Sequence, residues 1–172
     1  MAYDSADLRS YLEHHFTYIA GFERNVARYR NRTAMIDPST GRTWSYAQLS
    51  EEVDELASAF VTAGVGRGDR VVYQLYNTPE FVIVYLATQR IGAIGVPINF
   101  RLSPGETAFI LQDSDPRVYL YAQRAASIAE AALSSWEAVQ LPSSPFLAAP
   151  RRPPAPRPPL PSPAHLLPAT NP

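Results

Sequence analysis

Residues 70–121 read RVVYQLYNTPEFVIVYLATQRIGAIGVPINFRLSPGETAFILQDSDPRVYLY, and the alternation inside this stretch decides the fold. Three short apolar runs, 71–75, 95–98 and 118–121, are separated by two segments of helical character. Apolar runs of that length, bounded by turn residues and separated by helices, predict an α/β fold with buried strands of parallel type. The helix starts are signed. Thr78 is placed to cap, and Pro79 suits the first helical position, where its missing N–H costs nothing. Ser103, Pro104 and Glu106 form a capping box: the serine oxygen accepts near Glu106 while the glutamate reaches back to the Ser103 N–H. Pro97 removes a ladder donor and marks a strand end or edge. The helix after Pro79 is apolar almost all round and needs cover on several sides. No catalytic pattern is visible in this centre.

Upstream, residues 5–20 predict a helix with Leu8, Tyr11, Leu12, Phe16 and Ile19 at helical spacing, interrupted at Gly21. His14 and His15 are adjacent and point in different directions, so they do not form a metal pair of the i, i+4 kind. A second short turn follows, with Phe22, Val26 and Tyr29 inward and Arg24, Arg28, Arg30 and Arg32 outward. Pro38-Ser39-Thr40-Gly41 between two short runs predicts a hairpin. Ser45 and Gln48 make another capping box. The helix behind them carries Tyr46, Leu49, Val53, Leu56, Phe60 and Val61 on one stripe and stops at Gly64. Gly64-Val65-Gly66-Arg67-Gly68 looks like a phosphate loop, but a phosphate loop follows a strand and opens a helix. Here a helix precedes and a strand follows, so the stretch is a helix-to-strand turn.

Downstream, the helix 104–112 stops at Asp113-Ser114-Asp115-Pro116. A strand at 118–121 and a helix at 125–139, with Ile128, Leu133 and Trp136, complete the ordered part. At residue 141 the composition changes: 12 of the 17 prolines and none of the 16 acidic residues lie in 141–172. That segment is expected to be disordered or polyproline II. The division is therefore 1–140 and a proline-rich tail, 141–172.

Composition narrows the chemistry. All 15 basic residues are arginine, so neither a Schiff-base nor a P-loop lysine is available on this chain. There is no cysteine and hence no thiol chemistry. A net charge of −1 gives no sign of nucleic acid as a partner. No apolar run is long enough for a membrane span. The start of the chain, with Asp4, Asp7 and Glu13, has no apolar signal core, and the expected compartment is the cytoplasm.

Four ordered pieces carry a resemblance: Thr43-Trp44-Ser45-Tyr46-Ala47-Gln48-Leu49; Gly64 to Gly68-Asp69-Arg70-Val71; Asn77-Thr78-Pro79-Glu80; and Gly92-Ala93-Ile94-Gly95-Val96-Pro97-Ile98-Asn99-Phe100-Arg101-Leu102-Ser103. Together, over about residues 25–124, they resemble the adenylate-forming superfamily, and more narrowly the opening of an acyl-CoA synthetase (AMP-dependent synthetase and ligase). The resemblance implies activation of a carboxylic or fatty acid with ATP and Mg²⁺, release of pyrophosphate, and transfer of the acyl group to coenzyme A. The family's phosphate loop with its lysine, its adenine and ribose contacts and its C-terminal lysine belong downstream of the matched pieces. The resemblance therefore supplies no catalytic residue and no metal ligand, and no cofactor is expected on this fragment by itself. Asn99 and Arg101 follow a strand, where α/β folds place ligand loops. They are the substrate-binding candidates, Arg101 for a coenzyme A phosphate; the competing reading pairs Arg101 with a nearby carboxylate.

Three functions stay open at this point. The chain is a truncated acyl-CoA synthetase, inactive alone, whose tail has the composition of a GC-rich gene read out of frame. It is an interaction protein using the PxxP spacing from Pro158 to Pro161. Or it is a subunit completed by a protein partner that covers its apolar helix and sheet edge and supplies the missing lysines.

Overall fold

The structure, a computed structural model, describes residues 5–134 and 147–150. Two helices open the chain, α1 (Ser5–His15) and α2 (Tyr18–Tyr29). A hairpin of β1 (Thr33–Ile36) and β2 (Thr43–Ser45) leads into α3 (Tyr46–Thr62). Then come β3 (Arg70–Gln74), α4 (Pro79–Arg90), β4 (Ile94–Pro97), α5 (Pro104–Ser114) and β5 (Val118–Tyr121). A single 3-10 turn, Gln123–Ala125, precedes α6 (Ala126–Leu133), and β6 (Leu147–Pro150) is the last element described.

The main sheet runs β4-β3-β5-β6. β3 lies between β4 and β5 and pairs with both in parallel, as the alternation of apolar runs and helices requires. Its register sets Val71 beside Val118 and Tyr73 beside Leu120 on one neighbour, and Tyr73 beside Pro97 on the other. Successive residues of β3 serve opposite faces. Val71, Tyr73 and Leu75 meet Leu49, Val53 and Phe60 of α3 and Val84 and Ala87 of α4. Val72 and Tyr119 meet Leu111 of α5 and Ala129 and Ala132 of α6. The sheet is thus covered on both sides, and each buried aliphatic side chain contributes about 2 kcal/mol of transfer free energy. Burial pushes the Tyr73 hydroxyl up to about 12, with Tyr85 adding to the effect.

Both capping boxes form, Ser45 with Gln48 and Ser103 with Glu106. Thr78 holds the N-cap position of α4 ahead of Pro79, yet its side chain makes no capping bond. Asp115 ends α5 in the left-handed region at φ 44°, with its N–H on the Leu111 carbonyl, where Pro116 stops the helix. Pro97 closes β4 on the side of the sheet away from β5. Gly95 needs its missing side chain: a Cβ there would sit 3.0 Å from Thr88 Oγ1 and 3.3 Å from the Tyr73 ring, where α4 packs on β3 and β4. In the hairpin, Asp37 accepts from the Ser39 N–H, the Ser39 hydroxyl and the Thr40 hydroxyl. These bonds, that of the Ser39 hydroxyl first, hold its carboxyl below the ordinary value.

Several expectations are corrected. The first helix breaks at Phe16-Thr17, not at Gly21, because the Thr17 hydroxyl accepts the Ala20 N–H and starts α2; Gly21 lies within that helix. Leu8, Tyr11, Leu12 and Phe16 share a spacing but are exposed, since no described element packs over α1 on that side. Val61 leaves the buried stripe of α3 and is exposed; Ala57 takes an inward position instead, one turn before it. The last helix begins with a 3-10 turn and ends at Leu133. Trp136 lies outside the described residues, as does the tail apart from Leu147–Pro150. That short strand pairs antiparallel with β5, Tyr119 beside Ala149, although a period-free proline-rich composition predicted no element there.

Candidate functional site

Parallel strands whose connections are helices bring the helix starts together at the C-terminal ends of the strands. In this chain that end carries three loops: Tyr76-Asn77-Thr78 after β3, Asn99-Phe100-Arg101-Leu102 after β4, and Ala122 with the 3-10 turn after β5. The loop after β4 holds both residues singled out from the sequence. Asn99 is exposed, and its side-chain oxygen accepts the Arg101 N–H at 2.9 Å. The Leu102 N–H reaches the Asn99 carbonyl at 3.3 Å, closing the turn. Asn99 therefore shapes the loop from within.

Arg101 is exposed, and its guanidinium carbon lies 5.4 Å from the Phe100 ring centroid. Phe100 packs on Tyr76 with ring centroids 4.2 Å apart, tying the loop after β4 to the loop after β3. Among the described residues Arg101 forms no ion pair. Its guanidinium carries five donors in a planar fork suited to carboxylate or phosphate.

Sequence reasoning passed over Gln74 and Tyr119. Both are fully buried. The Tyr119 hydroxyl donates to Gln74 Oε1, and Gln74 Nε2 donates to the Asn99 carbonyl at 3.0 Å. Burial, with a contribution from Tyr121, pushes the Tyr119 hydroxyl well above the usual tyrosine range, so it stays protonated as a donor. The available signal was a glutamine inside the otherwise apolar run 71–75, since a buried amide has to find partners.

The other sequence candidates are engaged elsewhere. In the glycine-rich turn, the Gly66 N–H binds Asp69 Oδ2 at 2.8 Å and the Gly68 N–H binds the Gly92 carbonyl at 2.9 Å. These donors close a helix-to-strand turn, as its order in the chain requires. Arg28 and Arg32 flank the Tyr29 ring at 5.5 and 5.6 Å. His15 Nδ1 donates to the Tyr11 carbonyl at 3.0 Å and its ring stacks on Tyr11. A groove of about 330 Å³ lies between the hairpin and the start of α4, lined by Met35, Ile36, Asn77, Phe81 and Val82 among others. Its carboxylate, Asp37, is already bonded by Ser39 and Thr40. Among the described residues no group of three or more acidic or histidine side chains is arranged to hold a metal ion. None of the described helices is long and apolar enough to cross a membrane.

The fold defines the class: part of an α/β domain whose helix starts and connecting loops gather past the strand ends. The chain belongs to the AMP-binding enzyme family, whose model matches residues 22–163. That match runs well beyond residues 25–124, where the motif pieces lie. A crotonobetaine/carnitine–CoA ligase from Escherichia coli is 43% identical over 89 residues, which are 50% of this chain and 17% of the ligase. A fatty acyl CoA synthetase from Mycobacterium tuberculosis superposes with a TM-score of 0.65 at 29% identity, over 69% of this chain and 24% of that one. A benzoate CoA ligase from Burkholderia xenovorans gives 0.65 at 27% identity, over 70% and 24%. The chain thus matches less than a fifth of the length of that curated relative.

Proposed function

We propose that this chain is the N-terminal portion of an ATP-dependent acyl-CoA ligase and does not catalyse the reaction alone. The reaction joins a carboxylic acid, such as a fatty acid, to coenzyme A. The carboxylate oxygen attacks the α-phosphorus of ATP and pyrophosphate leaves; the coenzyme A thiol then attacks the acyl carbon, loses its proton, and AMP leaves. The observation that carries the reading is the family match over residues 22–163 together with curated relatives named as CoA ligases. Inactivity alone is supported by the absence of lysine, since the resemblance places a lysine in the family's phosphate loop and another at its C-terminus. ATP, Mg²⁺ and the acid would be held largely by segments beyond this chain.

Arg101 is the residue of this chain proposed to meet substrate, through a phosphate of coenzyme A. Support comes from its fork past the strand ends, which forms no ion pair among the described residues and lies two positions ahead of Ser103, the N-cap of α5, where a helix N-terminus favours anions. Asn99 holds the turn that presents it. The division near residue 140 rests on the composition change; the family match continuing to residue 163 weighs against an out-of-frame tail.

Pyrophosphate release from ATP by the 172-residue chain, with a panel of carboxylic acids and coenzyme A, tests the inactivity. No release above blank is expected, and turnover would overturn it. Resequencing codons 120–172 tests the tail. Another frame running on into a Ser/Thr/Gly-rich loop with lysine supports the out-of-frame origin, and a single uninterrupted frame removes it.

A further inference from the structure

We infer that Gln74, held by Tyr119, is a positioning residue that fixes the Asn99–Arg101 turn and so aims Arg101 at a phosphate of coenzyme A. This rests on the proposed role of Arg101. The backbone ladder between β3 and β4 runs as far as the Ile98 N–H, which binds the Tyr73 carbonyl at 3.0 Å. One residue further on the chain turns away, and there the Gln74 side chain takes over, donating to the Asn99 carbonyl at 3.0 Å. The orientation of that amide is forced. A main-chain carbonyl only accepts, so Gln74 must present its NH₂ group to Asn99 and its oxygen to the interior. The buried oxygen then requires a donor, and the Tyr119 hydroxyl is that donor. Tyr119 is 45 residues away on β5, so the tie spans all three parallel strands. The next links are local: Asn99 Oδ1 accepts the Arg101 N–H, and the Arg101 fork lies beside Phe100.

Removing the amide while keeping its length therefore frees the turn and leaves the sheet face filled. Gln74→Met does this; Tyr119→Phe does it more mildly, by leaving the amide oxygen without its donor. The test uses the 172-residue chain, with coenzyme A and phosphate-free pantetheine as probes in titration calorimetry, and amide hydrogen exchange followed at Arg101 and at Val72. In Gln74→Met the Arg101 amide should exchange about tenfold faster, with Val72 unchanged. Coenzyme A should bind about tenfold more weakly, matching Arg101→Ala, with pantetheine unaffected. The double variant should bind no more weakly than Arg101→Ala. Tyr119→Phe should move the same quantities in the same direction by less, which keeps the test open if Gln74→Met does not fold. If the parent chain binds no coenzyme A, or Arg101→Ala leaves that binding unchanged, the phosphate role falls and the aiming role with it. If Arg101→Ala weakens binding but Gln74→Met and Tyr119→Phe do not, positioning alone is overturned. Equal losses for coenzyme A and pantetheine would mark Gln74 as a packing residue and also overturn it.

Discussion

Arg70 enters the sheet at the start of β3, and its guanidinium donates to the Ser114 carbonyl at 2.7 Å and the Asp115 carbonyl at 2.7 Å, at the C-terminus of α5. Beside it, Arg117 faces Asp69 at 3.8 Å. Arg101 lies past the other end of the same sheet, against the Phe100 ring and in no ion pair among the described residues. The contrast follows from topology. Helices that return to a parallel sheet end where strands begin, so surplus carbonyls collect there and take up cations. Helices start where strands end, so surplus N–H groups collect there, and an arginine finds no carbonyls to join. The same side chain is a structural clamp at one end and, in the function proposed above, an anion receptor at the other. The half of a βα fold in which a cation sits therefore says as much about its role as its residue type.

The largest effect is expected where the clamp is broken. Arg70→Met should lower stability by about 2 kcal/mol, the worth of charge-assisted bonds to the last carbonyls of α5. Thermal unfolding of parent and variant measures it; a loss below about 0.5 kcal/mol would place Arg70 with ordinary surface residues and remove one side of the contrast.

At the opposite end, Ser103→Ala should cost about 1 kcal/mol, because Ser103 caps α5 through the Glu106 N–H. Thr78→Ala, at the matching cap of α4, should change stability by only a few tenths of a kcal/mol, since the Thr78 side chain makes no capping bond. Equal losses in denaturant titrations would show that the two helix starts are capped alike and contradict the geometry.

A pH series sharpens the same end. The Ser103 N–H first, and its hydroxyl second, hold the Glu106 carboxyl below the ordinary value of 4.5. A lowered folded value means that this bond stabilises fully above the unfolded value and is lost as pH falls through the folded one. The unfolding temperature of the parent should therefore fall more steeply than that of Glu106→Gln between about pH 5 and about pH 3. Parallel curves would show that the carboxylate is not the group responsible. The smallest change is expected for Arg101→Ala, whose stability should stay within about 0.5 kcal/mol of the parent. A larger drop in thermal unfolding would make Arg101 a clamp like Arg70.

Short-range chemistry was legible in the chain itself. Ser45 with Gln48, Ser103 with Glu106, Pro79 at a helix start and Pro38 to Gly41 at a turn all involve partners within a few residues. Apolar runs alternating with helices pointed to parallel strands, because strands paired in parallel need long crossovers. The candidates Asn99 and Arg101 were legible as a loop after a strand. The tertiary structure decided which surfaces are covered. It left Val61 and the stripe of α1 exposed, and it moved the first helix break to Thr17, since equal spacing on a helix does not say whether another element lies opposite. It also joined Gln74 to Tyr119 across 45 residues and Arg70 to Ser114 across 44. Such partners become neighbours only through strand order and register, and no local pattern in the sequence encodes a distance of that kind.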